Sequence, residues 1–267
     1  KRLSLVAFVP DDLQLIKGAP SHRRQFLDRL AFSLWPEHAQ LYRRWQRAHA
    51  MRNHLLGAVR VDEDAMFAFT ETWIETATAL LSSRQRALRA WKDQFLRAMS
   101  RLDPGPQIDV GYVMNGARVE DAADDVLAGT LRRAVAERAV EERRRRQCVV
   151  GPQRDDLLVR WGGLDAKTHV SQGQSRTLVL AMKLGEFHTV CAHRRSAPLL
   201  LLDDVMSELD QAHVERLTET IVELKAQAFV SATDTASLSR KVPARFFAIH
   251  DGNIDERGLR GAQTGSG

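Results

Sequence analysis

Residues 198–210 read PLLLLDDVMSELD, and this stretch decides the fold. Four consecutive leucines form a strand buried on both faces. The run ends in adjacent carboxylates, Asp203 and Asp204, although charges at the mouth of an apolar strand are costly unless something compensates them. In open α/β sheets ligands bind beyond the carboxyl ends of parallel strands. Two carboxylates at that edge suit Mg²⁺ on a nucleotide phosphate, with Asp203 on the metal side and Asp204 orienting or deprotonating the attacking water. The competing reading is that one Asp simply caps the helix that follows.

Upstream, residues 169–186 read HVSQGQSRTLVLAMKLGE. Ser171, Gln172, Gly173 and Gln174 stand at the head of a strongly helical run, where backbone N–H groups without intrahelical acceptors meet the positive end of the helix dipole. Such a site is built to touch an anion, and Gly173 allows a phosphate close to the backbone. Ser and Gly also mark ordinary helix starts. The motif gains weight from its place, one helix ahead of an aliphatic strand that ends in Asp-Asp.

Around these two motifs the chain has two textures. A β-like run (3–9) reaches a break at 17–20, and helices are expected near 21–34, 37–57 and 63–101, with Ser21 as an N-cap. A strand at 108–114 and a helix over 120–147, closing in Arg143, Arg144, Arg145 and Arg146, complete a mainly helical module. Beyond it come strands at 157–161 and 166–170 around Gly162-Gly163, a helix near 174–193, the leucine strand, a helix over 211–225, and strands at 227–231 and 245–249. Strands alternating with helices predict a parallel α/β layer. The expected division is 1–20, 21–147 (helical), 148–260 (α/β lobe) and a disordered tail, 261–267.

Lys plus Arg number 39 against 34 Asp plus Glu, a net charge of +5, which favours polyanionic partners such as nucleic acid or serves solubility alone. The two cysteines, Cys148 and Cys191, fit neither a disulfide framework nor a zinc site and agree with a reducing cytoplasm. No window approaches the roughly 18 apolar residues of a membrane span, and no signal peptide opens the chain. A cytoplasmic protein without a membrane partner is expected.

The order V-S-Q-G-Q-x-R, aliphatic strand, Asp-Asp, then Ser207-Glu208-Leu209-Asp210 resembles the signature motif, Walker B strand and D-loop of ABC-type ATPases. Within that class, GPQRDDLLV (151–159), SQGQSRTLVLAMKLGE (171–186), PLLLLDDVMSELD and FVPDDLQLIKGAPSHRRQFLD (8–28) resemble the RecF family of bacterial DNA replication and repair proteins. The resemblance implies an α/β P-loop NTPase lobe, an ABC-type head, carrying an α-helical module. It implies a cytoplasmic protein that binds ATP and Mg²⁺, forms an ATP-dependent homodimer, binds single-stranded or gapped DNA, works with other recombination mediators, and supports recombinational repair and SOS induction.

On the same resemblance Ser171, Gln172, Gly173 and Gln174 contact the γ-phosphate bound on the opposite subunit. Asp203 is the Mg²⁺ carboxylate, Asp204 fills the catalytic-base position where most ABC enzymes carry Glu, and Asp210 lies at the dimer seam. Thr233 is the expected γ-phosphate switch. Arg154 and Asp155 match the family's Arg-Asp, with Gln153 where His is usual, or form a structural ion pair in a turn.

One departure matters. The chain contains no G-x-x-x-x-G-K-[ST], the P-loop that family members carry in an N-terminal lobe, so either a truncated or a derived form is expected, with weak ATP binding and part of the α/β lobe uncovered. Arginine clusters at 43, 44, 47 and 52 and at 84, 86, 89, 97 and 101 follow a phosphate backbone or form a solvated helix face. Arg84, Arg89 and Arg143 to Arg146 are taken as the DNA contacts. Trp45, Trp73 and Trp91, at apolar helical positions, are expected in the core. The alternative functions are a non-catalytic DNA-binding or scaffold protein and, more remotely, an SMC-like or transporter head.

Overall fold

The computed structural model describes residues 4–60, 62–194, 196–206, 209–232 and 244–257. The chain opens with β1 (Leu5–Phe8), a 3-10 turn (Pro10–Leu13) and a single helical turn, α1 (Gln14–Lys17). Three longer helices follow: α2 (Pro20–Leu34), α3 (His38–Gly57) and α4 (Glu63–Leu102). Strands β2 (Ile108–Met114) and β3 (Ala117–Val119) precede α5 (Asp124–Arg145), β4 (Asp156–Trp161) and β5 (Leu164–Asp165). Next come α6 (Ala166–His169), α7 (Gln172–Arg194), β6 (Leu199–Leu202), α8 (Gln211–Glu223), β7 (Ala228–Val230) and a hairpin, β8 (Phe246–His250) with β9 (Asn253–Arg257).

Helix α4 is the spine. Asp62 caps it by accepting from the Ala65 amide at 3.0 Å, Glu63 and Asp64 sit at the positive end of its dipole and Arg101 at the negative end. Apolar residues at three- and four-residue spacing, among them Trp73, Ala77, Leu80, Leu81, Trp91 and Phe95, are buried along it. Its first half packs on α3 and its second on α7, where the Trp91 indole donates to the Met182 carbonyl at 3.0 Å. A Cβ added to Gly185 of α7 would lie 2.7 Å from the Phe95 Cα, so glycine permits this close approach. All three tryptophans expected in the core are there, at 5% exposure or less.

The parallel sheet has the order β1-β6-β7, so the leucine strand is central. Val6, Phe8, Leu200 and Leu202 are buried on the face toward the helices. On the opposite face Leu5 and Phe229 remain about half exposed, at 52% and 50%, which is the uncovered α/β surface expected from the sequence. The strand at 157–161 does not join this layer. As β4 it pairs antiparallel with β2 from Ile108↔Trp161 to Val113↔Asp156, joining residues on either side of position 147 in the sheet β3-β2-β4-β5. Residues 166–169 are helical rather than extended, because Asp165 accepts from the Lys167 amide at 2.9 Å and the buried Ala166 anchors the turn. No helix among the described residues is long and apolar enough to cross a membrane.

Candidate functional site

At the carboxyl end of β6 the ladder extends one residue on each side. The Asp203 amide donates to the Phe8 carbonyl and the Ser231 amide to the Leu202 carbonyl, both at 2.9 Å. The Ser231 hydroxyl donates to Asp203 Oδ1 at 2.5 Å and accepts from the Asp204 amide at 3.0 Å. Asp204 takes a left-handed φ of 47°, a conformation Asp tolerates better than most residues, and buried Val205 and Met206 then anchor the chain. Asp203 is exposed and Asp204 half-buried. Neither caps α8; Asp210 does, accepting from the His213 amide at 2.9 Å.

The donor set here is all oxygen, two carboxylates and a hydroxyl, which fits Mg²⁺. Among the described residues no cluster of three His, Cys, Asp or Glu forms a cage, and Mg²⁺ characteristically completes its shell with phosphate and water instead. Ser231 is the residue that sequence reasoning missed. Its signal was position, directly after the strand that neighbours β6. Thr233, expected as the switch, lies outside the described residues, as do Ser207 and Glu208.

Ser171 and Gln174 form a reciprocal capping box at the start of α7. The Ser171 amide donates to Gln174 Oε1 at 2.9 Å, and the Gln174 amide to Ser171 Oγ at 3.2 Å. Ser171, Gln172 and Gly173 are exposed, and a Cβ at Gly173 would meet nothing within 4 Å. No contact among the described residues therefore calls for glycine there.

The two motifs are not brought together. Asp12, just past β1, holds Lys183 of α7 at 3.0 Å, which ties the middle of α7 to the segment that follows β1. From Lys183 back to Ser171 the helix rises about 18 Å. Ser171, Gln172 and Gly173 face solvent at the head of α7, and Asp203 faces it at the end of β6. Asp210 is likewise exposed, and the His213 amide and imidazole hold its carboxyl below the usual carboxylate range.

The arginines divide sharply. Arg84 does not reach solvent: it is 2% exposed, grips Asp28 with Nε and Nη2 (2.7 and 2.8 Å), and donates to the Pro152 carbonyl at 2.8 Å. Placing it among the DNA contacts is therefore corrected. Tyr112, beside it, donates to Asp155 Oδ2 at 2.8 Å. Burial pushes the Asp155 carboxyl up to about 7, against the opposing pull of Tyr112, Arg84 and Arg24. Arg52 is also buried, on Glu142 at 2.6 Å. Arg89 pairs with Asp121, Arg143 with Glu63 and Arg145 with Glu141 at the surface, while Arg144 and Arg146 are exposed. Arg43, Arg44 and Arg47 are exposed on α3, which carries no acidic residue, and no carboxylate pairs with them among the described residues.

No protein-family model matches the chain. Among curated proteins, the DNA replication and repair protein RecF of Symbiobacterium thermophilum is 38% identical over 96% of this chain and 70% of its own length. The chain belongs to the RecF family. RecF of Myxococcus xanthus is 37% identical, covering 96% of this chain and 69% of its own length. RecF of Anaeromyxobacter dehalogenans is 36% identical, and this chain spans 62% of it. A solved structure of the recombination mediator protein RecF with ATP, in the RecFOR pathway, superposes with a TM-score of 0.82 at 25% identity, over 96% of this chain and 69% of that one. The fold is that of an α/β ABC-type ATPase head.

Proposed function

We propose that this chain supplies the signature and Walker B halves of an ATP-closed RecF dimer acting on DNA in repair. The observation that carries this reading is the exposure of Ser171, Gln172 and Gly173 at the head of α7 and of Asp203 at the end of β6, on separate elements of one chain. A signature turn displayed on a different element from its own carboxylates serves those of a second copy, and two such heads close two equivalent sites by two-fold symmetry. Asp203, held by Ser231, supplies a ligand for Mg²⁺; Mg²⁺ when bound neutralises charge on the phosphates. Asp204 orients the water and accepts its proton. The amides of Gln172 and Gly173 receive the γ-phosphate of the opposite chain, with the open space above Gly173 leaving room for it. Asp210 lies along the same seam.

The P-loop, absent from this sequence, belongs to a lobe seated on the open face bearing Leu5 and Phe229. This chain by itself binds ATP weakly and turns it over negligibly. DNA contact falls to the acid-free face of α3 (Arg43, Arg44, Arg47), joined by Arg144 and Arg146; backbone charge rather than base reading drives it. Other recombination mediators, SOS induction and a cytoplasmic setting follow from the same reading.

The test is Ser171→Arg in a RecF polypeptide that carries a P-loop segment ahead of these residues. ATP-dependent dimerisation, followed by light scattering, is abolished while ATP binding by the monomer stays within about twofold. Equal loss of both puts the turn on the wrong side of the seam.

A further inference from the structure

The segment from Val9 to Arg23 joins β1 to α2, and its polar side chains bridge to the elements that carry the signature. Asp12 accepts from the Val9 amide at 2.9 Å and from Lys183 of α7 at 3.0 Å, and both Asp12 and Lys183 are buried. That contact fixes the middle of α7. A second contact fixes its approach. Lys17 Nζ donates to the Val170 carbonyl at 2.5 Å and to the Lys167 carbonyl at 3.2 Å. These carbonyls belong to the end of α6, where intrahelical donors run out and an ammonium is a favourable partner. Ser171 follows Val170 directly.

Lys17 is itself held in place. A Cβ at Gly18 would lie 2.5 Å from the Gln14 carbonyl oxygen, so glycine lets the chain turn hard after Lys17. Buried Arg23 then gathers the carbonyls of Leu15, Ile16 and Gly18 at 3.3, 3.5 and 3.3 Å with Nη1, while Nε and Nη2 grip Asp156 of β4 at 2.7 and 2.8 Å. Arg23 locks α1 to the sheet, α1 aims Lys17, and Lys17 pins the turn ahead of the signature.

The geometry points to Lys17 as a positioning residue for the signature turn, setting the height of Ser171 and of the Gln172 and Gly173 amides relative to the β6 carboxylates. This rests on the reading that the turn meets the γ-phosphate of a second copy. Because Lys17 is exposed, its replacement leaves the core intact.

The test compares Lys17→Met, which keeps the apolar stem, with Lys17→Arg, which keeps the charge. In the 267-residue chain, Lys17→Met speeds amide hydrogen exchange across residues 166–176 about 3- to 10-fold, with the rest of the chain and the melting temperature unchanged, and Lys17→Arg restores the protection. Unchanged exchange there, or acceleration throughout the chain, overturns the proposal. In a P-loop-bearing polypeptide, Lys17→Met lowers kcat and ATP-dependent dimerisation several-fold while monomer affinity for ATP holds, and Lys17→Arg recovers both. If Ser171→Arg blocks dimerisation and Lys17→Met does not, the Lys17 role falls and the signature reading stands. If Ser171→Arg dimerises normally, the signature reading falls and the proposal with it.

Discussion

The carboxylates beyond β6 and the ion pairs beneath α4 are both rich in charge, and they treat it in opposite ways. Under α4, Arg84 has Asp28 in a two-pronged grip, His38 bridges Asp28 and Ser83 at 3.1 and 2.8 Å, and Tyr112 ties in Asp155. That network is sealed, so its charges hold α2, α4, β2 and β4 in register. At β6, the Asp203 carboxylate accepts from Ser231 at 2.5 Å and stays exposed just ahead of the left-handed turn at Asp204. Charge that is paired and buried supports the fold; charge displayed on a rigid strand end is available to a ligand.

That contrast can be broken by mutation. Asp204→Asn in a P-loop-bearing polypeptide lowers ATP turnover about 10²- to 10⁴-fold. Its melting curve hardly moves, since Asn enters the left-handed region readily. Unchanged turnover in this variant ends the assignment of Asp204 as base and favours the non-catalytic scaffold. Arg84→Ala does the reverse: it removes the two-pronged partner of Asp28, leaving His38 alone on a largely buried carboxylate, and costs about 3 to 5 kcal/mol of stability in denaturant titration. A loss below about 1 kcal/mol shows the network to be dispensable.

Asp155→Asn sharpens the contrast with a smaller effect. The folded carboxyl keeps its proton up to about pH 7, whereas an unfolded Asp releases it near its ordinary value of 3.8. Stability from this group is thus fully present below about pH 4 and declines as pH rises through about 7. Asn removes that slope, and stability measured from pH 4 to 8 becomes flatter; an unaltered profile shows that another group sets it.

The same two regions show what the sequence discloses. The leucine strand, its carboxylates and the head of α7 were legible, since apolar period, charge at a strand end and a Ser-x-x-Gln cap are local signals. Arg84 was legible in principle: it falls four residues after Leu80 and four before Leu88, inside the stripe of buried positions, and Arg52 sits likewise between Ala48 and Leu56. Counting arginines without following that phase placed Arg84 on the surface. The Ser231 contact with Asp203, and the pairing of β4 with β2 rather than β6, depend on residues far apart in the chain, and no local pattern carries them.

The central claim, that each chain's signature turn serves the carboxylates of another, is tested most directly by mixing two inactive variants of a P-loop-bearing polypeptide, Ser171→Arg and Asp204→Asn. In the mixed dimer one site pairs an intact Asp204 with an intact Ser171 from the other chain while the second is blocked, so at concentrations that drive the singly blocked pair together mixing restores turnover up to a ceiling of roughly a quarter of the unmutated value. If the mixture stays as inactive as either variant alone, the signature and the carboxylates work within one chain, and the account is contradicted.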